Sequence, residues 1–181
     1  MTPRYYQELA AKRAGLDRFD QFRHLATDMM DAFYRWAQEN LLGTDCSGTI
    51  CLPLLLMGFS IRTTARDLYQ RLFVHPVRGH HERHVAAAFV ITTVEVQHND
   101  RIEPAGGVTH VMPIVGNEVV IDAAWGQQVQ LRSFRLIEEL YNTPTTRVEY
   151  RALDWRLLQK LSDERVALHG VDPIVNEIMA A

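Results

Sequence analysis

The first strongly periodic stretch runs from residue 17 to residue 37, where Phe19, Phe22, Leu25, Ala26, Met29, Met30, Phe33 and Trp36 recur at three- and four-residue intervals. That spacing gathers the apolar side chains on one side of a helix, and the methionine and aromatic stripe reads as a core face. A weaker face, Tyr6, Leu9, Ala10 and Ala14, precedes it over residues 5 to 15 and ends at Gly15, its charges forming a solvated side. Behind Asp45, a good N-cap, the run Ile50 to Met57 is apolar all round and stops at Gly58. A helix opening at Cys46 is predicted there, kinked at Pro53, which removes the hydrogen bond to the carbonyl of Thr49. Thr63 or Thr64 is placed to cap a further helix, TARDLYQRLF, with Asp67 in its first turn.

In the second half the pattern turns to strands. Phe89 to Gln97 predicts a strand, HNDRIEPAGG a turn-rich loop, and Gly106 to Gly126 a β-hairpin. The hairpin's strand formers, Val108, Val111, Ile114, Val115, Val119, Val120 and Ile121, are interrupted by Gly116-Asn117-Glu118 as the turn. Gln127 to Leu131 is a further strand, SFRLIEELYN a short helix and RVEYRAL the last strand of the sheet. Helical spacing returns beyond Asp154 in WRLLQKLSDERVALHG and then VDPIVNEIMA, with Asp172 and Pro173 as cap and first residue. The class these elements define is α+β: a five- or six-stranded antiparallel sheet packed on the Cys46 helix, with extra N- and C-terminal helices.

Composition bounds this picture without changing it. At 181 residues with 47% hydrophobic and 23% charged, the chain suits one domain that buries its own core. A net charge of −3 offers no basic stripe for nucleic acid. No window reaches the roughly 18 apolar residues of a membrane span, and the N-terminus lacks the apolar segment of a signal peptide. The expectation is a chain made in the cytoplasm that needs a carrier if it acts outside.

Candidate chemistry centres on Cys46. A helix start, with its unpaired N–H groups and positive dipole end, favours a thiolate, the nucleophilic form of cysteine; the alternative is a small buried residue in a capped helix. His110 lies six residues before Gly116 and Asp122 six after it, so a hairpin centred on that turn sets them roughly opposite one another. Taken singly, these are a hydrogen-bonded strand histidine and a solvated strand-end carboxylate. Taken with Cys46 they form a Cys-His-Asp relay of nucleophile, base and a carboxylate that orients the base through Nδ1–H. Cys51 points about 140° away from Cys46 on the same helix, which excludes a disulfide between them and leaves Cys51 a core residue. His75 to His84 holds four of the eight histidines, but Pro76 and Gly79 argue for a loop, and neither HExxH nor a cysteine pair is present. A solvated loop beside the cleft is expected, with no metal and no other cofactor.

Tyr34, Trp36, Asp45, Cys46, Ser47, Gly48, Gly58, Arg62, Thr63 and Asp67, followed downstream by His110, Val111, Gly116, Asn117 and Asp122, resemble in order and spacing the two motif blocks of the NlpC-type cysteine peptidases of peptidoglycan. The likeness covers about residues 22 to 151. It departs from the family at Ala37-Gln38, where two glycines are usual, at Asp122, where histidine is commoner, and in lacking a Gly-Asp before the histidine strand. The resemblance implies a papain-like core over residues 22–151, with 1–18 and 154–181 as helical extensions of a single domain, 1–181, that offer a docking surface. It implies a thiol protease in which Cys46 attacks, His110 transfers the proton and Asp122 holds the imidazole. The backbone N–H of Cys46, with Tyr34, would stabilise the oxyanion, and Tyr34, Asp45, Ser47 and Arg62 would bind substrate. Tyr34 is equally readable as a packed tyrosine, and Arg62 as half of a surface ion pair. The implied substrate is the peptidoglycan stem peptide, at the D-Glu to diaminopimelate linkage. The implied carrier and partners are a phage or phage-like tail or other delivery apparatus, for a virion protein active in cell wall degradation. Two alternatives stand beside it: a non-catalytic structural component of a tail tip, and an injected antibacterial wall-cleaving toxin.

Overall fold

The computed structural model describes residues 3–28, 30, 46–77, 84–98, 101–124 and 129–180. Tyr34, Trp36, Ala37, Gln38, Asp45, His80 and His81 lie outside them. Two helices come first, α1 (Pro3–Arg13) and α2 (Arg18–Asp28), the second capped by Asp17, whose Oδ1 accepts from the N–H groups of Phe19 and Asp20 at 3.0 Å each. Next is α3 (Gly48–Leu56), then the short α4 (Ala65–Asp67), which runs on as a π-helical turn over Leu68–Leu72. Thr64 caps α4, its hydroxyl accepting from the Asp67 N–H at 3.2 Å.

Among the described residues eight strands follow: β1 (His75–Pro76), β2 (Ala86–Thr92), β3 (Val96–His98), β4 (Arg101–Glu103), β5 (Val108–Gly116), β6 (Val119–Asp122), β7 (Gln130–Ser133) and β8 (Thr146–Ala152). Helix α5 (Phe134–Tyr141) joins β7 to β8, and α6 (Trp155–His169) and α7 (Pro173–Met179) end the chain. Six strands form one antiparallel sheet in the order β1-β8-β2-β5-β6-β7, and β3 and β4 pair separately. The fold is therefore α+β, and among the described residues no helix is long and apolar enough to cross a membrane.

The central strand β2 is buried along its whole length because both faces of the sheet are covered. Ala87, Phe89 and Ile91 meet Cys46, Ile50, Cys51 and Leu54 of the α3 segment, whereas Ala88 and Val90 meet Met112, Val120, Phe134 and Ile137. The strand expected from Phe89 to Gln97 is thus displaced: it starts at Ala86 and ends at Thr92. Three consecutive alanines are weak strand formers in isolation, but paired on both edges in a central strand their small side chains fit under α3 and α5. After Thr92 the chain turns, because its hydroxyl bonds the carbonyls of Pro104 and Gly107 at 2.6 and 3.2 Å. What was expected as a loop between residues 98 and 107 contains half of the β3–β4 hairpin. His75 and Pro76 likewise form an edge strand where a loop was expected; proline is tolerated there because an edge N–H has no ladder partner to lose.

All nine residues of α3 are buried, which explains a helix apolar on every side. Its far side, Leu52, Leu55 and Leu56, packs on Leu9 of α1, Leu25 and Ala26 of α2 and Val175 of α7. Leu158 and Leu161 of α6 join the core on the sheet side. The terminal helices expected as extensions thus lend side chains to the core through one face, while Leu168 and Met179 remain exposed. Polar contacts fasten the tail further: Ser162 Oγ accepts from the Ser60 N–H at 2.9 Å, and Ser60 Oγ accepts from the Asp172 N–H at 3.1 Å.

Candidate functional site

Cys46 stands two residues before the first residue of α3, in the turn that leads into it. Ser47 takes the cap position, its carbonyl accepting from the N–H groups of Ile50 and Cys51 at 3.1 and 2.9 Å, and no side-chain cap bond is made there. The start of the helix therefore falls slightly later than the sequence suggested, and Asp45, the expected cap, lies outside the described residues. Thr49 Oγ1 donates to the Cys46 carbonyl at 2.6 Å, which ties the cysteine backbone to the first helical turn. Cys46 and Cys51 are both free thiols and both buried, and Cys51 Sγ donates to the Thr63 carbonyl at 3.7 Å.

His110 and Asp122 sit on the expected hairpin but not directly opposite one another. Ile114 pairs with Val120 and Gly116 with Val119, so Val115 is an extra residue on the β5 side. Continuing the Ile114–Val120 register sets Asp122 across from Met112, diagonal to His110. Diagonal neighbours are roughly 7–8 Å apart at Cα, a gap that a histidine and an aspartate close together. His110 Nε2 lies 2.7 Å from Asp122 Oδ1. The bulge is held from outside, since the Val115 carbonyl accepts from Arg23 Nε at 2.7 Å. At the hairpin tip Glu118 adopts φ 59°, a left-handed conformation for which its carbonyl bond from the Phe134 N–H, 2.8 Å, compensates.

The nitrogen engaged by the carboxylate is Nε2 and not Nδ1, so the expected orientation of the ring is reversed. A carboxylate acceptor makes Nε2 the N–H-bearing nitrogen, and Cys46 is close enough to the ring to act on its charge. Burial works against a charge on this imidazole. Hydrogen bonds to Asp122 and Cys46 and the negative charges of both outweigh it and raise the His110 pKa to about 9.

Asp122 is almost inaccessible, with 1% of its side chain exposed, and two further side chains, those of Arg132 and Tyr141, reach it beside His110. Arg132 of β7 brings Nε to 2.8 Å from Oδ2 as a charge contact whose N–H is not aimed for a hydrogen bond. Tyr141, the last residue of α5, donates its hydroxyl to the same oxygen at 3.2 Å, and its ring centroid lies 5.6 Å from that of His110. Burial opposes ionisation of Asp122, but the bond to His110, the two cations and the Tyr141 hydroxyl hold its carboxyl below the ordinary range. Burial and the Asp122 charge push Tyr141 upward, so its hydroxyl stays protonated and remains a donor.

Arg132 and Tyr141 were not singled out from the sequence. Their positions follow from the register of β7, where Val120 pairs with Arg132 and Asp122 with Gln130, and from the cap at Ser133, whose hydroxyl accepts from the Leu136 N–H and starts α5. An arginine within one strand of a buried aspartate is the signal that could have found the first of them.

Of the expected substrate-binding residues, Ser47 is buried at the helix start, and Tyr34 and Asp45 lie outside the described residues. Arg62 forms a two-point ion pair with Asp172, Nε to Oδ2 at 2.6 Å and a terminal nitrogen to Oδ1 at 3.1 Å, which agrees with the ion-pair reading of this residue. The ends of the histidine-rich segment line a surface cleft of about 410 Å³ with Asp154, Trp155 and Arg156, and His75 Nε2 is 2.9 Å from Asp154 Oδ2. Among the described residues no group of three metal-ligating side chains occurs.

The chain matches no protein-family model, no curated protein and no solved structure. The class defined by fold and site is thus an α+β protein with a histidine held by a buried carboxylate and a buried cysteine acting on the same imidazole.

Proposed function

We propose that this protein is a cysteine peptidase with a papain-like core of the NlpC type, acting on the peptidoglycan stem peptide at the D-Glu to diaminopimelate linkage. The observation that carries the reading is the imidazole of His110, held by the buried carboxylate of Asp122 at 2.7 Å with Cys46 among the groups that act on its charge. In the reaction the Cys46 thiol gives its proton to His110 and sulfur attacks the scissile carbonyl. The tetrahedral intermediate collapses to a thioester as His110 passes that proton to the leaving amine. Water, deprotonated by His110, then releases the acid and restores the thiol. Asp122 keeps the imidazole oriented through both steps. The backbone N–H of Cys46 is the oxyanion donor in this scheme.

Incubating the purified full chain with sacculi and with soluble muropeptides, and identifying fragments by mass spectrometry, tests the reading. Cleavage at the stem peptide that disappears in Cys46→Ala is the expected result. Inertness of the reduced wild-type chain on both substrates, or equal activity of Cys46→Ala, would sink it and leave a structural component in its place. Delivery by a phage-like tail is a separate proposal, checked by looking for the chain in purified particles.

A further inference from the structure

Asp122 faces two cations instead of one. His110 takes Oδ1 at 2.7 Å, and Arg132 stands 2.8 Å from Oδ2, where Tyr141 also donates at 3.2 Å. The three partners arrive from β5, β7 and α5, so the carboxylate is fixed by three elements and cannot rotate without breaking a contact on each. Arg132 exposes only 14% of its side chain and Asp122 1%, which keeps solvent screening of this cluster low. Such a buried arginine does more than anchor a strand.

We propose that Arg132 is a positioning residue which, together with the Tyr141 hydroxyl, divides the charge of Asp122 between two cations and so limits how tightly His110 keeps its proton. The proposal rests on the relay reading of Cys46, His110 and Asp122, though not on the substrate. Its physics is direct. A carboxylate that serves one cation alone holds that cation harder. With Arg132 gone, the whole field of Asp122 falls on the imidazolium, and a base that cannot release its proton is a poor acid toward a leaving amine. The titratable and charged groups facing His110 and Asp122 among the described residues are Cys46, Arg132 and Tyr141. Burial itself disfavours the imidazolium, and a cation held on the same carboxylate would add to that effect. A unit charge on the far oxygen of the same carboxylate, acting through an effective dielectric of about 20, changes a proton affinity by roughly tenfold or more.

The test is an NMR titration of the His110 ring in the full chain, its resonance assigned by loss in His110→Gln. In Arg132→Gln the midpoint is expected above the wild-type value of about 9, with proton affinity up roughly tenfold or more. Arg132→Lys should return the midpoint toward wild type, and Tyr141→Phe, which removes a neutral donor from the same oxygen, should raise it by a smaller, few-fold step. An unchanged or lowered midpoint in Arg132→Gln overturns the proposal and leaves a purely structural ion pair. If Arg132→Gln fails to fold, Tyr141→Phe decides: a midpoint that does not rise counts against the proposal. No peptidoglycan enters this measurement. An upward shift in a chain that cleaves no muropeptide removes the substrate reading alone, whereas cleavage with no shift removes this one alone.

Discussion

Deleting residues 154–181 is a severe perturbation, and the interior shows why. Leu158 and Leu161 belong to the core between α3 and the sheet, and Val175 to the core behind α3, with exposures of 0%, 7% and 2%. Burying one aliphatic side chain of this size contributes about 1.5–3 kcal/mol, so these three together represent roughly 5–9 kcal/mol. The deletion also strips the Ser162 hydroxyl from the buried Ser60 N–H, at a further cost of about 1–3 kcal/mol. A domain is stable by about 5–15 kcal/mol in total, so the truncated chain is expected to lack a cooperative native state. The assay is a thermal melt followed by circular dichroism, with the single substitution Leu158→Ala beside it. That substitution should lower stability by about 2–5 kcal/mol and the melting temperature by on the order of 5–15 °C. A truncated chain melting cooperatively within a few degrees of the full one would refute the account of α6 and α7 as core. It would restore the view of the tail as a detachable docking segment.

Three further outcomes can be checked. Cys46→Ala should abolish muropeptide cleavage while Cys51→Ala leaves it within a few-fold; because both thiols are nearly equally buried, preferential alkylation of Cys46 in a mass-mapped experiment would reflect His110 and not access. The His110 pKa is raised, so its contribution to stability is complete below the ordinary 6.5 and lost as pH rises through about 9, whereas the lowered Asp122 contributes above 3.8 and loses its effect as pH falls; urea melts across this range should show both declines, and a flat alkaline side contradicts the His110 assignment. Gly107→Ala should destabilise by about 1–3 kcal/mol, seen as a lowered melting temperature, because its Cβ would lie 2.8 Å from the buried Glu103 carboxylate and 2.9 Å from the Pro104 carbonyl; an unchanged melt would mean that this turn gives way freely.

Long periodic segments were the most readable parts of the chain. Asp172 starts α7 where the sequence placed its cap, accepting from the Ile174 N–H, and Asp154, beyond which helical spacing returns, caps α6 by accepting from the Arg156 and Leu157 N–H groups. The partnership of His110 and Asp122 was readable too, because a turn between two runs of strand formers brings equidistant residues together. Its diagonal offset and the identity of the bonded nitrogen were not, since one extra residue at Val115 alters the pairing without any mark in the local pattern. Ala86 to Ala88 escaped notice because their strand character comes from neighbours on both edges and not from their own propensity. Arg132 and Tyr141 depend on the meeting of β7 and α5 with β6, a tertiary fact that spacing along the chain does not carry.

The imidazole of His110 has one nitrogen already engaged. With Nε2 committed to a carboxylate that water scarcely reaches, a proton the ring accepts or donates must travel through its opposite edge. In the proposed reaction a departing amine would have to collect its proton from that edge, and the incoming water would have to be activated from the same edge. Entry and exit of the reacting groups therefore share one side of the ring. A ligand lodged against that edge would then block both halves of the proposed cycle at once.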